Sequence, residues 1–428
     1  MKNFLSLIIV IIIFWFTGCS PKVKPEVTTS EVITSEVVTS EVVTSFTNSF
    51  GPIITCADST NSMFHFLTFT LKKSADQLEV SFLKDSLTLE DSYDRVKHSF
   101  YVPRKGSLLN YRIKSKDPLV DKTSGRIFSP DSLPFLVAIS GDFDGNIEVS
   151  RRILESIGNK NPALFIQLGN ITSGKMRKEE FGDFFLKNKA FFTSIPFAPV
   201  YGEKDIDIED WKELFGLSGK GGYYSINLPE TKILVLNTET LGVGSPQYVW
   251  LTNELEKSWN LWKVVAMHKP IYSSCKNQDE GIKGMHNILE PLFERYRVNI
   301  VLCGHDHIYE RYEKNKVVYI TSGCGGAPFD SIVMSNDYRL ASAERLHHYV
   351  LLKIGRRRIA GVVCSIDRIP EKNDPLSFKV ASGDVERRWG DYDALEKTHS
   401  LDEISMDTLN LDMLVSDTMI LDTFEIIE

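Results

Sequence analysis

Between residues 133 and 307, short apolar runs alternate with helical segments, and several of these runs lead directly into a polar cluster. The clearest run, residues 299–302, precedes the letters CGHDH, which place two histidines on either side of one aspartate. Short runs between longer helical segments predict an α/β fold. In such sheets, ligands bind at the loops that follow the carboxyl ends of the strands. The pattern therefore predicts one site built from several loops.

The polar residues that follow the apolar runs include three imidazoles and three carboxylates, a set suited to metal binding. They are Asp142, Asp144, Asn170, Glu203, Lys204, His268, His305 and His307. His305 and His307 are two residues apart, so in an extended segment both face the same side. Taken singly, each has a structural explanation, such as capping a turn or a helix. Only the combination predicts a metal site.

The predicted elements of this part are strands at 135–140, 164–168, 233–236, 263–267 and 299–303, and helices near 149–157, 247–257 and 287–296. Residues 46–130 instead contain short alternating runs separated by polar turns. That texture predicts a small all-β sandwich ahead of the α/β part.

The first residues predict export. Lys2 precedes an apolar stretch from Phe4 to Phe16, which is shorter than the about 20 residues that a membrane-spanning helix needs. The stretch ends in FTGC, which resembles the lipobox of bacterial lipoproteins. We therefore expect residues 1–18 to be a signal peptide and Cys19 to be lipidated, anchoring the protein to a membrane in the periplasm or at the cell surface. A plain signal peptide with an incidental cysteine is the alternative.

Residues 19–45 contain the pentads EVTTS, EVITS, EVVTS and EVVTS. A period of five fits neither a strand nor a helix face, and this composition cannot build a core, so we expect a tether. Five cysteines remain besides Cys19, without a CxxC pair. Cys303, Cys324 and Cys364 lie in apolar or glycine-rich contexts and are predicted to be buried free thiols.

The net charge of −8 belongs to the last part of the chain. Residues 371–428 hold 15 acidic and 5 basic residues, a net −10, so residues 1–370 carry about +2. We expect no nucleic-acid partner. Aspartates recur every five residues from Asp402 to Asp422, among apolar residues. This pattern predicts a flexible acidic tail, and its apolar content also allows docking to a protein partner or to the body.

The order of the polar clusters resembles the five-block pattern of the calcineurin-like metallophosphoesterases, most closely the purple acid phosphatase branch. The blocks read GDFD, GNITS, GEKD, VAMH and GHDH, where the family has roughly GDx(G/H), GDxxY, GNH(D/E), VxxH and GHxH. The flanking stretches IPFAPVYG, HKPIYSS and HIYER add to the resemblance. It implies a metallophosphoesterase domain at 131–370, an α+β sandwich, preceded by a fibronectin III-like domain at 46–130. It also implies acid phosphatase-like hydrolysis of a phosphorylated small molecule or another phosphoester.

The resemblance also implies a metal-ligand set. By position, Asp142 and His307 hold the first metal, His268, His305 and the third-block residue hold the second, and the second-block residue bridges both. Here the bridging position is Asn170, and an amide cannot bridge two cations as a carboxylate does. Glu203 and Asp144 supply carboxylates instead. The resulting groups are Asp142, Asp144 and His307, and Glu203, His268 and His305. The second group suits iron, zinc or manganese, with one or two ions per chain.

Two functions remain open from the sequence. In the first, the protein is a metal-dependent hydrolase with weakened activity, in which Lys204 replaces the family histidine beside the phosphate and stabilises the transition state by its charge. In the second, the fold is catalytically degenerate and binds an anionic partner without turnover. The loss of the bridging carboxylate favours the second function, and the retained histidines favour the first.

Overall fold

The computed structural model describes residues 48–56, 63–81, 86–90, 95–104, 108–174, 178–217, 221–259, 261–275, 280–367, 380–382, 385–387 and 418–427. All of these residues belong to one compact unit, Val37–Glu428. No helix in these ranges is both long enough and apolar enough to cross a membrane. The predicted signal peptide, Cys19 and the pentad segment lie outside the described residues.

The strands that precede the first helix are β1 Phe50–Thr55, β2 Met63–Ser74, β3 Gln77–Ser81, β4 Ser86–Glu90, β5 Arg95–Pro103, β6 Leu108–Lys114, β7 Ser124–Phe128 and β8 Phe135–Ser140. The later strands are β9 Leu164–Gln167, β10 Phe197–Pro199, β11 Tyr224–Leu228, β12 Thr231–Val235, β13 Trp262–Met267, β14 Ile300–Cys303, β15 Tyr309–Lys314, β16 Val317–Ser322, β17 Arg339–Ala343, β18 His348–Ile354, β19 Arg358–Ser365, β20 Val380–Ser382, β21 Val385–Arg387 and β22 Met419–Ile427. The helices are α1 Ile147–Gly158, α2 Lys178–Lys187, α3 Lys189–Phe192, α4 Ile208–Leu214, α5 Pro246–Lys257 and α6 Glu280–Arg295.

The described strands form two nine-stranded sheets and one four-stranded sheet. The first sheet has the order β22-β19-β18-β8-β9-β10-β1-β2-β5, the second β11-β12-β13-β14-β16-β15-β17-β20-β21, and the third β4-β3-β6-β7. Neighbours β8, β9 and β10 are parallel, as are β12, β13, β14 and β16. The carboxyl ends of each parallel set therefore point to one edge, which is where the polar clusters follow.

Alternate residues of the second sheet pack into two different cores. Ile233, Val264 and Ile300 belong to the core that also holds the strands of the first sheet. Their neighbours along the chain, Val265 and Val301, belong to a second core with residues of α5 and α6. Because successive side chains of a strand point to opposite faces, one face packs on the other sheet and one on helices. This arrangement confirms the predicted α/β sandwich.

The N-terminal strands are all β, as predicted, but they do not all form a separate sheet. Strands β3, β4, β6 and β7 form the four-stranded sheet, whereas β1, β2 and β5 continue the first large sheet through the parallel pair of β1 with β10. The hydrogen-bonded network thus crosses the predicted boundary at residue 130. The domain boundaries themselves stay a prediction.

The end of the chain differs from the predicted flexible tail. Residues 418–427 include β22, which pairs antiparallel with β19 over most of its length. Asp422 is buried, and its carboxylate accepts bonds from the Tyr309 hydroxyl at 2.6 Å and from Arg311 Nε at 2.7 Å. The expectation of a flexible extension is therefore wrong for this segment, and the alternative that the tail docks to the body is confirmed for residues 418–427. Cys303, Cys324 and Cys364 are buried free thiols, as predicted.

Candidate metal centre

Loops after five strands bring all eight predicted residues to one place. Asp142 and Asp144 follow β8, Asn170 follows β9, Glu203 and Lys204 follow β10, His268 follows β13, and His305 and His307 follow β14. The sequence predicted that these residues would lie together at one edge of a single sheet. In the structure, β8, β9 and β10 belong to the first large sheet, and β13 and β14 belong to the second. The site therefore lies where the strand ends of two sheets meet.

Glycines precede several of these residues because the loops approach each other too closely for a side chain. A Cβ at Gly304 would lie 2.5 Å from Oδ2 of Asp142. A Cβ at Gly169, where φ is +96°, would collide with the imidazole Nδ1 of His268. Only glycine fits such contacts. The recurring letters GD, GN, GE and GH thus have a steric cause at the centre of the site.

Glu203, His268 and His305 form the first of two groups whose ligand atoms lie within 4.8 Å of one another. Nε2 of His268 is 2.7 Å from Oε2 of Glu203, and Nδ1 of His305 is 3.3 Å from Oε1. Neither nitrogen has the alignment of a hydrogen bond, although both are buried. Nδ1 of His268 donates to the carbonyl of Leu168 at 2.6 Å, so in the neutral ring Nε2 carries the lone pair.

Asp142, Asp144 and His307 form the second group. Nδ1 of His307 donates to the Pro328 carbonyl at 2.6 Å, which leaves Nε2 buried and without a hydrogen bond, 3.8 Å from Oδ1 of Asp142. Asp142 Oδ2 accepts the backbone N–H of His305 at 2.7 Å. Asp144 is paired with Lys204, whose Nζ lies 2.9 Å and 3.3 Å from its two oxygens.

Asn170, the residue at the bridging position, lies between the two groups. Its Nδ2 donates to Oδ1 of Asp142 at 2.9 Å and, at 3.4 Å, to Oε1 of Glu203. Its Oδ1 accepts the backbone N–H of Lys204 at 2.9 Å. These partners fix the orientation of the amide, because carboxylates need a donor and an N–H needs an acceptor. Asn170 therefore presents its NH2 group to the site, and its oxygen is engaged elsewhere.

The protonation of the site follows from burial and from these pairings. Burial raises the pKa of Asp142 well above its ordinary value. Burial would also raise the pKa of Glu203, but the pairing with His268 and His305 outweighs it and holds that pKa well below its ordinary value. Burial would lower the pKa of Lys204, but Asp144 raises it on balance. Glu203 is thus an anion and Lys204 a cation at neutral pH.

Two carboxylates that support the site were not singled out from the sequence. Asp205 is half-buried, and its carboxylate accepts backbone N–H groups of Asn170, Ile171, Thr172 and Gly202 at 2.8 to 3.4 Å, which ties the second and third blocks together. Burial raises its pKa to about 7. Asp330 accepts the backbone N–H of His307 at 3.0 Å. Asp205 ends the third block, GEKD, but nothing in one sequence distinguishes a loop anchor from a surface aspartate.

An open cavity of about 440 Å³ lies over the site. Its polar wall holds Glu203, Lys204, Cys275, His305, Asp306, His307, Asp330 and Ser331. Phe329 and Val333 line the same cavity and are 39% and 55% exposed. Nε2 of His268, Nδ1 of His305 and Nε2 of His307 are buried without a hydrogen bond, and each faces a carboxylate of the site. Buried imidazole nitrogens usually have a hydrogen-bond partner, and a metal ion is the alternative partner. The residues therefore fit a metal ion.

Comparisons with known proteins agree on one superfamily. Residues 135–309 match the family model for the calcineurin-like phosphoesterases. The chain is 28% identical over 227 residues to probable purple acid phosphatase 20 of Arabidopsis thaliana, which is 46% of this chain and 53% of that protein. It is 36% identical over 132 residues to purple acid phosphatase 1 of Ipomoea batatas, 26% of this chain and 28% of that protein. The chain thus spans about half the length of these relatives, or less.

The chain is also similar to a relative that is named for its metal ions and to a solved structure with a related fold. Fe(3+)-Zn(2+) purple acid phosphatase 12 of Arabidopsis thaliana is 33% identical over 96 residues, 22% of this chain and 20% of that protein. The solved structure of a purple acid phosphatase from yellow lupin (Lupinus luteus) seeds has a TM-score of 0.60 at 12% identity, covering 74% of this chain and 72% of that chain. At this identity the likeness shows a shared fold alone.

Proposed function

We propose that the protein is a metal-dependent phosphate monoester hydrolase with weakened activity, because residues 135–309 match the calcineurin-like phosphoesterase family model and the chain is similar to purple acid phosphatases. The buried ring nitrogens of His268, His305 and His307, which make no hydrogen bond and face carboxylates, carry this proposal. Glu203, His268 and His305 would hold iron, zinc or manganese. When bound there, the ion would polarise a phosphoryl oxygen and lower the pKa of a water.

The charge of the site separates a metal-dependent protein from one that binds phosphate without metal. Four carboxyl groups lie in or beside the cavity, on Asp144, Glu203, Asp306 and Asp330, and the buried Asp142, whose pKa is raised, is left out of this count. Against them stands the ammonium of Lys204, already paired with Asp144. A phosphate dianion would be repelled from such a surface unless a cation were bound. Both hydrolysis and anion binding at this site therefore depend on metal.

Lys204 and the rim of the cavity favour aryl phosphates as substrates. An ammonium stabilises negative charge but is a poor proton donor at neutral pH, since the reference pKa of lysine is about 10.4. Alkyl leaving groups need a proton, whereas nitrophenolate does not. Phe329 and Val333 add apolar surface beside the metal ligands, against which an aromatic leaving group would pack.

Hydrolysis of p-nitrophenyl phosphate and of an alkyl phosphate, before and after chelation and metal return, tests the proposal. We expect slow, metal-dependent turnover of the aryl ester, about 100-fold lower in His268→Ala. His286→Ala, which removes a histidine paired with Glu290, is the matched control and should retain activity. Introducing Asn170→Asp and Lys204→His together should raise alkyl ester turnover about 100-fold by restoring a bridge and a proton donor.

The second candidate is a binding module without turnover, favoured by the amide at the bridging position and by the Lys204–Asp144 pair. It replaces the hydrolase if neither the wild type nor the double variant shows metal-dependent turnover. Efficient hydrolysis of alkyl phosphates by the wild type would instead contradict the weakened activity. The proposal also includes a membrane tether, formed by a lipid on Cys19 and by the pentad segment.

A further inference from the structure

The two ligand groups differ in how much of their ligand capacity is already used within the chain. In the group of Glu203, His268 and His305, both site-facing imidazole nitrogens are buried without a hydrogen bond. Oε1 of Glu203 lies 3.3 Å from Nδ1 of His305 and 3.4 Å from Nδ2 of Asn170, and Oε2 lies 2.7 Å from Nε2 of His268. Apart from the long Asn170 contact, these site-facing atoms meet only one another, so an ion held by the two ring nitrogens and the carboxylate would displace no internal cation.

In the group of Asp142, Asp144 and His307, the carboxylates are already engaged. Oδ1 of Asp142 accepts from Asn170 at 2.9 Å, and Oδ2 accepts from the His305 backbone at 2.7 Å. Both oxygens of Asp144 lie within 3.3 Å of Nζ of Lys204. Only Nε2 of His307 lacks a partner. An ion entering here would have to displace an internal cation and an amide donor.

The backbone of Lys204 is fixed by bonds on both sides of its peptide. Its N–H donates to Oδ1 of Asn170 at 2.9 Å, and its carbonyl accepts the Thr172 hydroxyl at 3.0 Å. Gly174 lies close behind it, and a Cβ there would be 3.1 Å from Cβ of Lys204. The loop therefore directs the lysine side chain to Asp144. Asn170 contacts both Lys204 and Asp142: its Oδ1 accepts the Lys204 backbone N–H, and its Nδ2 donates to Asp142.

We infer that the protein binds a single metal ion, at Glu203, His268 and His305, and that the ammonium of Lys204 takes the place of a second cation. A second divalent ion beside this ammonium would be repelled by it and would lack a bridging anion to offset the repulsion. The inference rests on the proposed function in that it requires the site to bind metal. It goes further by assigning the stoichiometry and the residue that excludes the second ion.

Metal content after dialysis against a weak chelator, and titration of the apoprotein with Zn²⁺ by calorimetry, test the inference without any assay of activity. We expect one tightly held ion per chain in the wild type and none in His305→Ala. The variant Asn170→Asp/Lys204→Met restores the bridging carboxylate and removes the ammonium, so it should hold two ions. Lys257→Met, which changes an exposed lysine paired with Glu254, is the control and should hold one.

Each result has a separate meaning. Two ions held with equal affinity by the wild type would overturn the single-ion inference and leave the hydrolase proposal intact. No ion in the wild type would overturn the hydrolase proposal itself. One ion in both the wild type and the double variant would show that Lys204 and Asn170 do not exclude the second ion. Should Lys204→Met unfold the chain, as judged by circular dichroism, Lys204→Gln replaces it with the same expectations.

Discussion

Four residues of the candidate site have left-handed backbone conformations. Asp142, Asp144, Asn170 and His305 have φ of 53°, 45°, 55° and 69°. This region is unfavourable for most side chains and least so for Asn and Asp. Non-glycine residues in it persist only where their surroundings hold them, and such residues cluster at functional sites. Here the loops are held by Asp205, which accepts N–H groups from two of them. The strain thus belongs to the geometry that gathers the ligands.

One buried histidine away from the site, His65, should make the free energy of unfolding fall at acid pH. His65 stacks on Tyr101 with ring centroids 4.3 Å apart. Burial, with a contribution from Lys97, lowers the pKa of His65 to about 3 from an ordinary 6.5. Below pH 6.5 the unfolded chain therefore binds a proton that the folded chain refuses until about pH 3. Stability from this residue is complete above pH 6.5 and is lost as the pH falls.

We expect His65→Phe, which keeps the aromatic stack and removes the titration, to reduce this acid sensitivity. The loss of unfolding free energy between pH 7.5 and pH 5 should shrink by about 2 kcal/mol relative to the wild type, at about 1.4 kcal/mol per pH unit. Urea denaturation at the two pH values measures it, with His286→Gln as the control. An unchanged difference between the two pH values in His65→Phe would contradict this account.

The last strand, β22, carries one buried ion pair to the second sheet in addition to its pairing with β19. β22 forms the edge of the first sheet, and Asp422 on it binds Arg311 and Tyr309 on β15 of the second sheet. Burial would lower the pKa of Arg311, but Asp422 raises it on balance. Removing one partner of such a pair leaves an uncompensated buried charge, which costs more than the pair contributes.

Asp422→Ala should therefore lower the free energy of unfolding by about 3 to 5 kcal/mol. Glu425→Ala on the same strand is a matched control, because its partner Arg358 is more exposed and such pairs contribute about 0 to 1 kcal/mol. Chemical denaturation of both variants gives the comparison. Equal losses in the two variants would show that β22 is held by its strand pairing with β19 rather than by Asp422.

Elements were predictable from the sequence where their pattern is local. The apolar runs at 135–140, 263–267 and 299–303 correspond to β8, β13 and β14, and the helix predicted at 247–257 begins one residue earlier, at Pro246, after the capping Ser245. The helix predicted at 287–296 begins at Glu280, earlier than its apolar pattern suggested. β22 was not predictable, because Asp422 reaches a partner 111 residues away in sequence. Strand pairing of this range leaves no local signal.

The site was predictable because its polar residues directly follow the apolar runs that form the strands, and ligands of such sheets bind at the loops after strand ends. The resemblance to the calcineurin-like phosphoesterases is confirmed by the match over residues 135–309. The role of Asn170 was not predictable in detail. Its position in the second block implied a metal ligand. In the structure, its Nδ2 donates to Asp142, and its Oδ1 accepts the backbone N–H of Lys204. Such an orientation depends on three loops at once, and one sequence does not contain it.

The body, Val37–Glu428, and the N-terminal segment should contribute to different properties, stability and membrane attachment. The unit Val37–Glu428 has its own cores, and residues 48–367 supply nearly all of the described strands and helices. The composition of the proposed tether, residues 19–45, cannot build a hydrophobic core. Stability should therefore come from the body, and attachment to a membrane should come from a lipid at Cys19.

The Cys19→Ser variant should leave the membrane fraction without losing stability. We expect the wild type, expressed in a bacterium that processes lipoproteins, to incorporate radiolabelled fatty acid and to sediment with membranes, since two or more acyl chains give stable anchoring. The variant should incorporate no label and appear in the soluble fraction, with an unchanged melting temperature for the body. Cys56→Ser, which changes a buried thiol inside the body, is the control and should remain labelled. Unchanged labelling of Cys19→Ser would exclude Cys19 as the attachment point, and a membrane-bound but unlabelled variant would place the anchor in the uncleaved apolar stretch from Phe4 to Phe16.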